Sequence, residues 1–200
     1  MNIRSACSLF RSPLLLALIA LALMPVLAQA PPSQTVTVDP ALLAKASSGD
    51  AAAQIQLADL YATGGATKPD YKQAAAWYRK AAEQNNTAAQ VHLADLYRDG
   101  RGVPRDMAQA TDWYRKAAEL GDASAQGTLG ILYSVGMGVQ RDDVEAYYWL
   151  SLAAAVKGPS QTRFITNRQS VGEHITTDQQ AGVEERVAAW KAAHPRPNSE

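Results

Sequence analysis

Cysteine is almost absent from this 200-residue sequence, and histidine is scarce. The single cysteine is Cys7, so the chain cannot build a disulfide framework of its own. The three histidines, His92, His174 and His194, do not have the spacing of metal ligands, and the known phosphate-binding, metal-binding and nucleophile motifs are missing. Basic and acidic side chains number 19 each, which argues against a nucleic-acid partner. We therefore predict no catalytic residue, no metal and no cofactor.

Residues 1–30 have the pattern of a secretory signal peptide. Two arginines and no acidic residue precede the apolar run of residues 13–28, and Ala28 and Ala30 supply the small residues of a cleavage site. The alternative, a retained membrane anchor, is disfavoured because the run is shorter than the ~20 residues that a spanning helix needs. We predict cleavage after Ala30, a mature chain without a stable membrane anchor, and a periplasmic or secreted location in a bacterium.

The heptapeptide WYRKAAE occurs twice, at residues 77–83 and 113–119, an interval of 36 residues. Trp77, Trp113 and Trp149 follow the same interval, so the sequence contains a third copy. Many matches at one period, without an insertion, predict a tandem array in which each unit buries its apolar face on its neighbours. Other residues in register are Gln54, Gln90 and Gln126; Leu57, Leu93 and Leu129; and Tyr61, Tyr97 and Tyr133.

Each copy has the features of two antiparallel helices. The first helices are predicted at residues 51–63, 87–99 and 123–135. Alanines and one tryptophan form a single stripe along each second helix, so we expect the tryptophans in the core. Aspartate or asparagine, the residues that best cap a helix N-terminus, precede both kinds of helix: Asp50, Asn86 and Asp122 before the first, and Asp70, Asp106 and Asp142 before the second.

Residues 89–121 (AQVHLADLYRDGRGVPRDMAQATDWYRKAAELG) and 125–155 closely resemble the Sel-1-like repeat, a relative of the tetratricopeptide repeat. The interval of 36 favours the former, because the tetratricopeptide period is 34. The first copy departs from the pattern in its loop, where Ala66 and Thr67 replace a glycine and a valine. The resemblance implies an all-α, right-handed α-solenoid of three helix-turn-helix repeats that binds other proteins or glycans. The predicted repeats are residues 49–84, 85–120 and 121–157.

The two ends of the array are predicted to be capped, as a stack of repeats requires. At the N-terminal end, Asp39 and Pro40 begin a short helix over residues 40–48, within a leader and cap at 31–48. At the C-terminal end, capping helices are predicted at 156–172 and 177–194, the second with Thr177 and Gln180 as a capping box. We assign residues 158–200 to this C-terminal cap and its tail.

The residues that differ between copies form a separate stripe on the first helices, at positions 52, 55, 56, 59, 62 and 63 and their equivalents. The resemblance implies that first helices line the concave surface of the solenoid, and a mixed polar and apolar lining suits an extended peptide or a protein loop. The predicted partner-binding residues are Gln56, Asp59, His92, Asp95, Arg98, Asp99, Thr128, Ile131 and Ser134.

We therefore predict a non-catalytic, exported protein-interaction module or adaptor of the bacterial cell envelope. One alternative is an enzyme acting on peptidoglycan or β-lactams, which the resemblance suggests through cysteine-rich bacterial relatives; the disulfide framework of those relatives is missing here. Another is a glycan-binding scaffold for polysaccharide export, which would require Trp149 or Tyr147 to be exposed.

Overall fold

The computed structural model describes residues 37–65 and 67–195, and the regular structure in these ranges is entirely helical. The predictions for the signal peptide, most of the leader, Ala66 and the last five residues lie outside the described residues. Within them the first helices of the three repeats have the predicted bounds. The helices are α1 (Pro40–Ser47), α2 (Ala51–Thr63), α3 (Tyr71–Ala82), α4 (Thr87–Asp99), α5 (Met107–Glu119), α6 (Ala123–Val135), α7 (Asp143–Ala154), α8 (Gln161–Gly172) and α9 (Thr177–Ala193).

The helices pack mainly in chain order, as expected for a stack of hairpins. Each repeat pairs a first helix with a second helix (α2 with α3, α4 with α5, α6 with α7), and each second helix then contacts the next first helix. The predicted caps are confirmed: Asp50, Asn86 and Asp122 each accept a hydrogen bond from a backbone N–H of the first turn. The predicted all-helical solenoid of tandem repeats is therefore confirmed. No helix in the described ranges is both long enough and apolar enough to cross a membrane.

A buried glutamine ties each repeat to the helix before it. The Nε2 of Gln90 donates to the carbonyl oxygen of Ala82, and that of Gln126 donates to Ala118, each at 3.1 Å. These carbonyls lie in the last turn of a helix, where each also accepts the N–H of a turn residue, Asn85 or Gly121, and the glutamine adds a second donor. The side chain of Gln161 makes the same bond to Ala154 at 3.0 Å. Helix α8 therefore occupies the place of a fourth first helix and continues the stack beyond the third repeat.

The second loop glycine allows adjacent repeats to approach closely. Gly102 and Gly138 have φ of 72° and 70°, in the left-handed region that glycine adopts without strain. A Cβ atom on Gly102 would lie 2.2 Å from the carbonyl oxygen of Tyr71, and one on Gly138 would lie 2.1 Å from that of Met107. Both contacts are made with the first turn of the preceding second helix. The glycines are therefore required by packing between repeats as well as by the turn.

The expectation that all three repeat tryptophans lie in the core holds only for the third. Trp149 is buried, whereas Trp77 and Trp113 are half-buried, and each carries a lysine ammonium over its ring at 3.8 Å and 3.9 Å, respectively. These lysines, Lys80 and Lys116, come from the repeated WYRK segment. A tryptophan at the edge of the core explains the arrangement, because its outer face remains available to a cation.

The C-terminal hairpin explains why WYRK appears twice and not three times. In the third copy its last two residues become Ser151 and Leu152, and both are buried. Helices α8 and α9 both pack on α7, so the surface that is open in the earlier repeats is covered here. Val183 and Val187, one turn apart on α9, are both buried.

Two details of the C-terminal prediction were wrong. Helix α8 begins at Gln161 and not at residue 156, because residues 155–160 form a turn after α7. The capping box of α9 uses Thr176 and Gln179, one residue earlier than predicted: the Thr176 hydroxyl accepts from the Gln179 N–H at 3.2 Å, and the Gln179 side chain accepts from the Thr176 N–H at 2.9 Å. Two consecutive threonines and two consecutive glutamines make both registers compatible with the motif.

Candidate functional site

The nine predicted partner-binding residues lie on one side of α2, α4 and α6, opposite the fully buried leucines; Ile131 on this side also packs against the edge of the core. We call this surface the first-helix face. The intervening residues Leu57, Leu93 and Leu129 are fully buried, so the helices are clearly two-sided. Gln56, Asp59, His92 and Asp99 are exposed, and Asp95, Arg98, Thr128, Ile131 and Ser134 are half-buried.

In the first repeat, Tyr78 connects the core to this face. The residue belongs to α3 and is buried, yet its hydroxyl donates a hydrogen bond to the Asp59 carboxylate on α2. Its ring stacks on His92 of α4, with centroids 4.9 Å apart and planes 26° from parallel. Burial, followed by the hydrogen bond and charge of Asp59, raises the pKa of the Tyr78 hydroxyl well above its usual range. The hydroxyl therefore remains a donor and fixes the carboxylate in position.

In the second repeat, Arg98 contacts both members of the equivalent pair, Tyr114 and Asp95, and Arg101 extends the network through Asp99. The Tyr114 hydroxyl donates to Asp95, and Arg98 contacts both, at 2.6 Å from the carboxylate and 2.8 Å from the hydroxyl. Arg98 also pairs with Asp99 at 2.9 Å, and Arg101 reaches the other oxygen of Asp99 at 2.6 Å. The hydrogen bond from Arg98 is the main reason why the pKa of Asp99 is lowered. The second repeat thus presents a connected network in which the charges largely offset one another.

In the third repeat the same positions are apolar. Ile131 stands where the first two repeats have Asp59 and Asp95, and Leu150 stands where they have Tyr78 and Tyr114. Both members of the pair have therefore changed together. Ser134 donates from its hydroxyl to the Ile131 carbonyl oxygen at 2.8 Å, within its own helix.

The exposed apolar residues of the third repeat lie beside Ile131. Val135 occupies the position of Asp99 and is 56% exposed, and Met137 occupies that of Arg101 and is 47% exposed. The loop backbone is the same in both repeats, since the N–H of Arg101 bonds to Leu96 and that of Met137 bonds to Leu132 at nearly equal distances of 3.0 Å and 3.1 Å. We call Ile131, Val135 and Met137 the apolar patch.

The described part of this surface offers hydrogen bonds, charges and apolar contact. In the described ranges no cluster of three or more histidine, cysteine, aspartate or glutamate side chains could hold a metal ion. Trp149 and Tyr147, whose exposure a glycan-binding scaffold would have required, are only 7% and 9% exposed. The geometry therefore suits recognition of another chain better than carbohydrate stacking on these two rings.

Sequence reasoning did not predict the hydrogen bonds of the Tyr78 and Tyr114 hydroxyls or the exposed position of Met137. The structure buries the rings of Tyr78 and Tyr114 while their hydroxyls reach the first-helix face. A signal was available, because aspartate and tyrosine are 19 residues apart in the first two copies and both are replaced in the third. Met137 lies beyond the end of α6, so helical periodicity could not include it.

Comparison with known proteins identifies relatives of this fold. The family description "Sel1 repeat" matches residues 51–86, 87–122 and 123–155. A Sel1 repeat protein from Oxalobacter formigenes is 35% identical with a TM-score of 0.58, covering 64% of this chain and 96% of its own. A protective antigen of uropathogenic Escherichia coli strains, displaying an SLR fold, is 31% identical with a TM-score of 0.64 over 80% of this chain; the match spans only 36% of that antigen.

A third neighbour supports the fold alone. The cysteine rich protein B of Helicobacter pylori is 21% identical, with a TM-score of 0.50 over 64% of this chain and 96% of its own. The search of curated proteins found no match.

Proposed function

This chain belongs to the Sel1 repeat family, and from that premise we propose that it is a non-catalytic module that binds a protein or peptide partner on its first-helix face. Proteins with Sel1 repeats are generally scaffolds for protein–protein interaction. A scaffold of this kind needs a rigid frame and a surface that distinguishes one partner from others. The repeated caps, glutamines and glycines supply the frame.

The observation that carries the proposal is where the repeats differ. Residues that hold the frame, such as Gln90 and Gln126, recur in every copy, whereas most residues at the first-helix face differ between copies, and the shared aspartate of the first two copies is lost in the third. The carboxylates of Asp59 and Asp95 on that face are held in position by Tyr78 and Tyr114. Groups fixed before binding lose less conformational entropy when a partner arrives, which favours recognition.

We place this module in the bacterial cell envelope, as a periplasmic or secreted adaptor. The support is the sequence of residues 1–30, in which a basic start, a short apolar run and an A-x-A ending follow the order of a secretory signal.

Site-specific crosslinking tests the binding surface. A photoreactive amino acid at Gln56 or His92, both exposed on the first-helix face, should capture a discrete partner in envelope preparations. The same amino acid at Ala76 or Ala108, exposed on second helices α3 and α5, is the matched control and should capture little. Equal capture from both pairs of sites, or capture from the second helices alone, would show that the first-helix face is not the binding surface.

A further inference from the structure

The first-helix face changes character along the stack. At its start, Asp59 is exposed and accepts a hydrogen bond from Tyr78, and no basic side chain in the described ranges lies within ion-pair distance of it. At its end, the apolar patch of Ile131, Val135 and Met137 replaces charged residues. The face therefore presents an unneutralised negative charge two repeats away from an exposed aliphatic surface.

The fold does not require the valine and methionine of the apolar patch at positions 135 and 137. The second repeat has charged residues, Asp99 and Arg101, at the positions of Val135 and Met137, and its loop has the same backbone hydrogen bond. Leaving valine and methionine exposed is unfavourable in water, because each keeps apolar area hydrated. Val135 lies one helical turn after Ile131 and Met137 follows two residues later, and the clustering of two half-exposed aliphatic side chains in this short segment favours a contact site.

The second repeat indicates which charge a ligand should carry. Arg98 is bound to Asp95, Asp99 and Tyr114, so its positive charge is already offset by two carboxylates. Asp59 has no such competitor, and its second carboxylate oxygen is open to a donor. Asp59 thus offers a negative charge that no ion pair in the described ranges offsets, and a cationic side chain complements it.

We propose that the partner is an extended peptide segment that places a lysine or arginine against Asp59 and an apolar side chain on the apolar patch. This inference rests on the proposed function and specifies the chemistry of the ligand. We take one helix diameter, on the order of 10 Å, as the advance per repeat, so two repeats separate the two anchors by roughly 20 Å. An extended chain advances about 3.3 Å per residue, which places the basic and apolar residues about six positions apart.

Three synthetic peptides test the proposal with the mature chain, residues 31–200. The first carries arginine and leucine six positions apart in a serine- and alanine-containing background; the second has glutamate in place of arginine, and the third has serine in place of leucine. Fluorescence anisotropy of labelled peptides should give the tightest binding for the first. We expect each replacement to weaken binding about tenfold, since one ion pair and one apolar anchor are lost in turn.

Protein variants identify the two contact points. Asp59→Asn keeps an acceptor for Tyr78 and should weaken binding of the arginine peptide, whereas the glutamate peptide, relieved of like-charge repulsion, should bind at least as tightly as it does to the wild type. Val135→Ser combined with Met137→Gln should weaken the leucine peptide about tenfold and leave the serine peptide unaffected. The matched control is Leu120→Ser: Leu120 is 50% exposed but follows second helix α5, so its replacement should not change binding. Circular dichroism verifies that each variant is folded.

Each other outcome overturns the inference without deciding the proposed function. Equal or tighter binding of the glutamate peptide would contradict the basic anchor, and equal binding of the serine peptide would contradict the apolar anchor. If none of the three peptides binds, the ligand chemistry proposed here is wrong. The proposed function would then still be decided by crosslinking from Gln56 and His92, which does not depend on the peptide sequence.

Discussion

The Tyr78 hydroxyl donates a hydrogen bond to the Asp59 carboxylate, and this bond joins the second helix of the first repeat to the face of its first helix. Tyr114 and Asp95 form the same bond one repeat later, where Arg98 completes a triad. A carboxylate that accepts a hydrogen bond from a buried tyrosine is held more firmly than that of an aspartate with no such partner. The acidic groups of the first-helix face are therefore part of the packed structure.

Removing the hydroxyl of Tyr78 should lower stability without removing its ring from the core. We expect Tyr78→Phe to cost about 1 kcal/mol, or somewhat more because the acceptor is charged. Urea denaturation followed by circular dichroism measures this difference. Tyr61→Phe is the matched control, since the Tyr61 hydroxyl makes no hydrogen bond to a described residue, and it should change stability by less than about 0.5 kcal/mol. Equal losses in the two variants would contradict the role assigned to the bond.

The same tyrosines should make the protein sensitive to alkali. Burial is the largest cause that raises the pKa of both Tyr78 and Tyr114 above the ordinary value of 10.0. The folded state therefore holds these protons more tightly than the unfolded state. Their contribution to stability is fully present below about pH 10 and is lost as the pH rises through the folded-state pKa values.

A comparison of variants isolates this effect from the titration of lysines. The free energy of unfolding of the wild type should fall more steeply above pH 10 than that of the double variant Tyr78→Phe, Tyr114→Phe. The measurement is urea denaturation at several pH values between 8 and 11. Parallel curves for the two proteins would show that these hydroxyls ionise as easily in the folded state as in the unfolded chain.

Much of this fold follows from residues whose effect is local. Asp50, Asn86 and Asp122 predicted the starts of the first helices, because a side-chain oxygen that caps a helix acts only on the next few residues. Local signals were ambiguous where the sequence repeats itself, as at Thr176 and Thr177.

Features that depend on packing between distant segments were not predictable in this way. The half-exposed position of Trp77 and the burial of Leu152 depend on which helix covers each surface, and that cover comes from residues far along the chain. The pairing of Asp59 with Tyr78 likewise was not predictable, because it depends on how the tyrosine side chain of one helix reaches the neighbouring helix. The stripe of variable residues identified the first-helix face, but it could not show which of its charges are already paired.

The second loop glycine should be essential for packing between repeats. Gly138→Ala would force a side chain into φ of 70° and would place its Cβ 2.1 Å from the Met107 carbonyl oxygen. We expect a loss of more than about 2 kcal/mol in the free energy of unfolding, since left-handed strain and overlap with backbone add together. Gly182→Ala is the control: it lies within α9 with no atom within 4 Å of an added Cβ, and helix propensity predicts a gain of up to about 1 kcal/mol. A tolerated Gly138→Ala would contradict the close approach.

The proposed export predicts where the mature protein begins. Cleavage after Ala30 would remove Cys7, so the mature protein should begin at Pro31 and should not react with a thiol reagent. Intact mass spectrometry of protein from a periplasmic fraction measures this directly. A bulky residue in place of Ala30 should accumulate the precursor, which retains its reactive cysteine. Full-length protein that carries the thiol and sediments with membranes would instead indicate a retained anchor.

The third repeat should not tolerate the residues of the first two. Leu152 corresponds to Lys80, and the structure buries the leucine beneath the C-terminal hairpin while the lysine lies exposed over Trp77. Leu152→Lys would bury an ammonium group without an acidic partner, so we expect a loss of more than about 3 kcal/mol or detachment of α8 and α9 from α7. The reciprocal change, Lys80→Leu, removes one cation–π contact and should cost no more than about 1 kcal/mol. Thermal unfolding measures both, and limited proteolysis after α7 reports release of the hairpin. If Leu152→Lys were as mild as Lys80→Leu, the hairpin could not be the cover that separates the third repeat from the others.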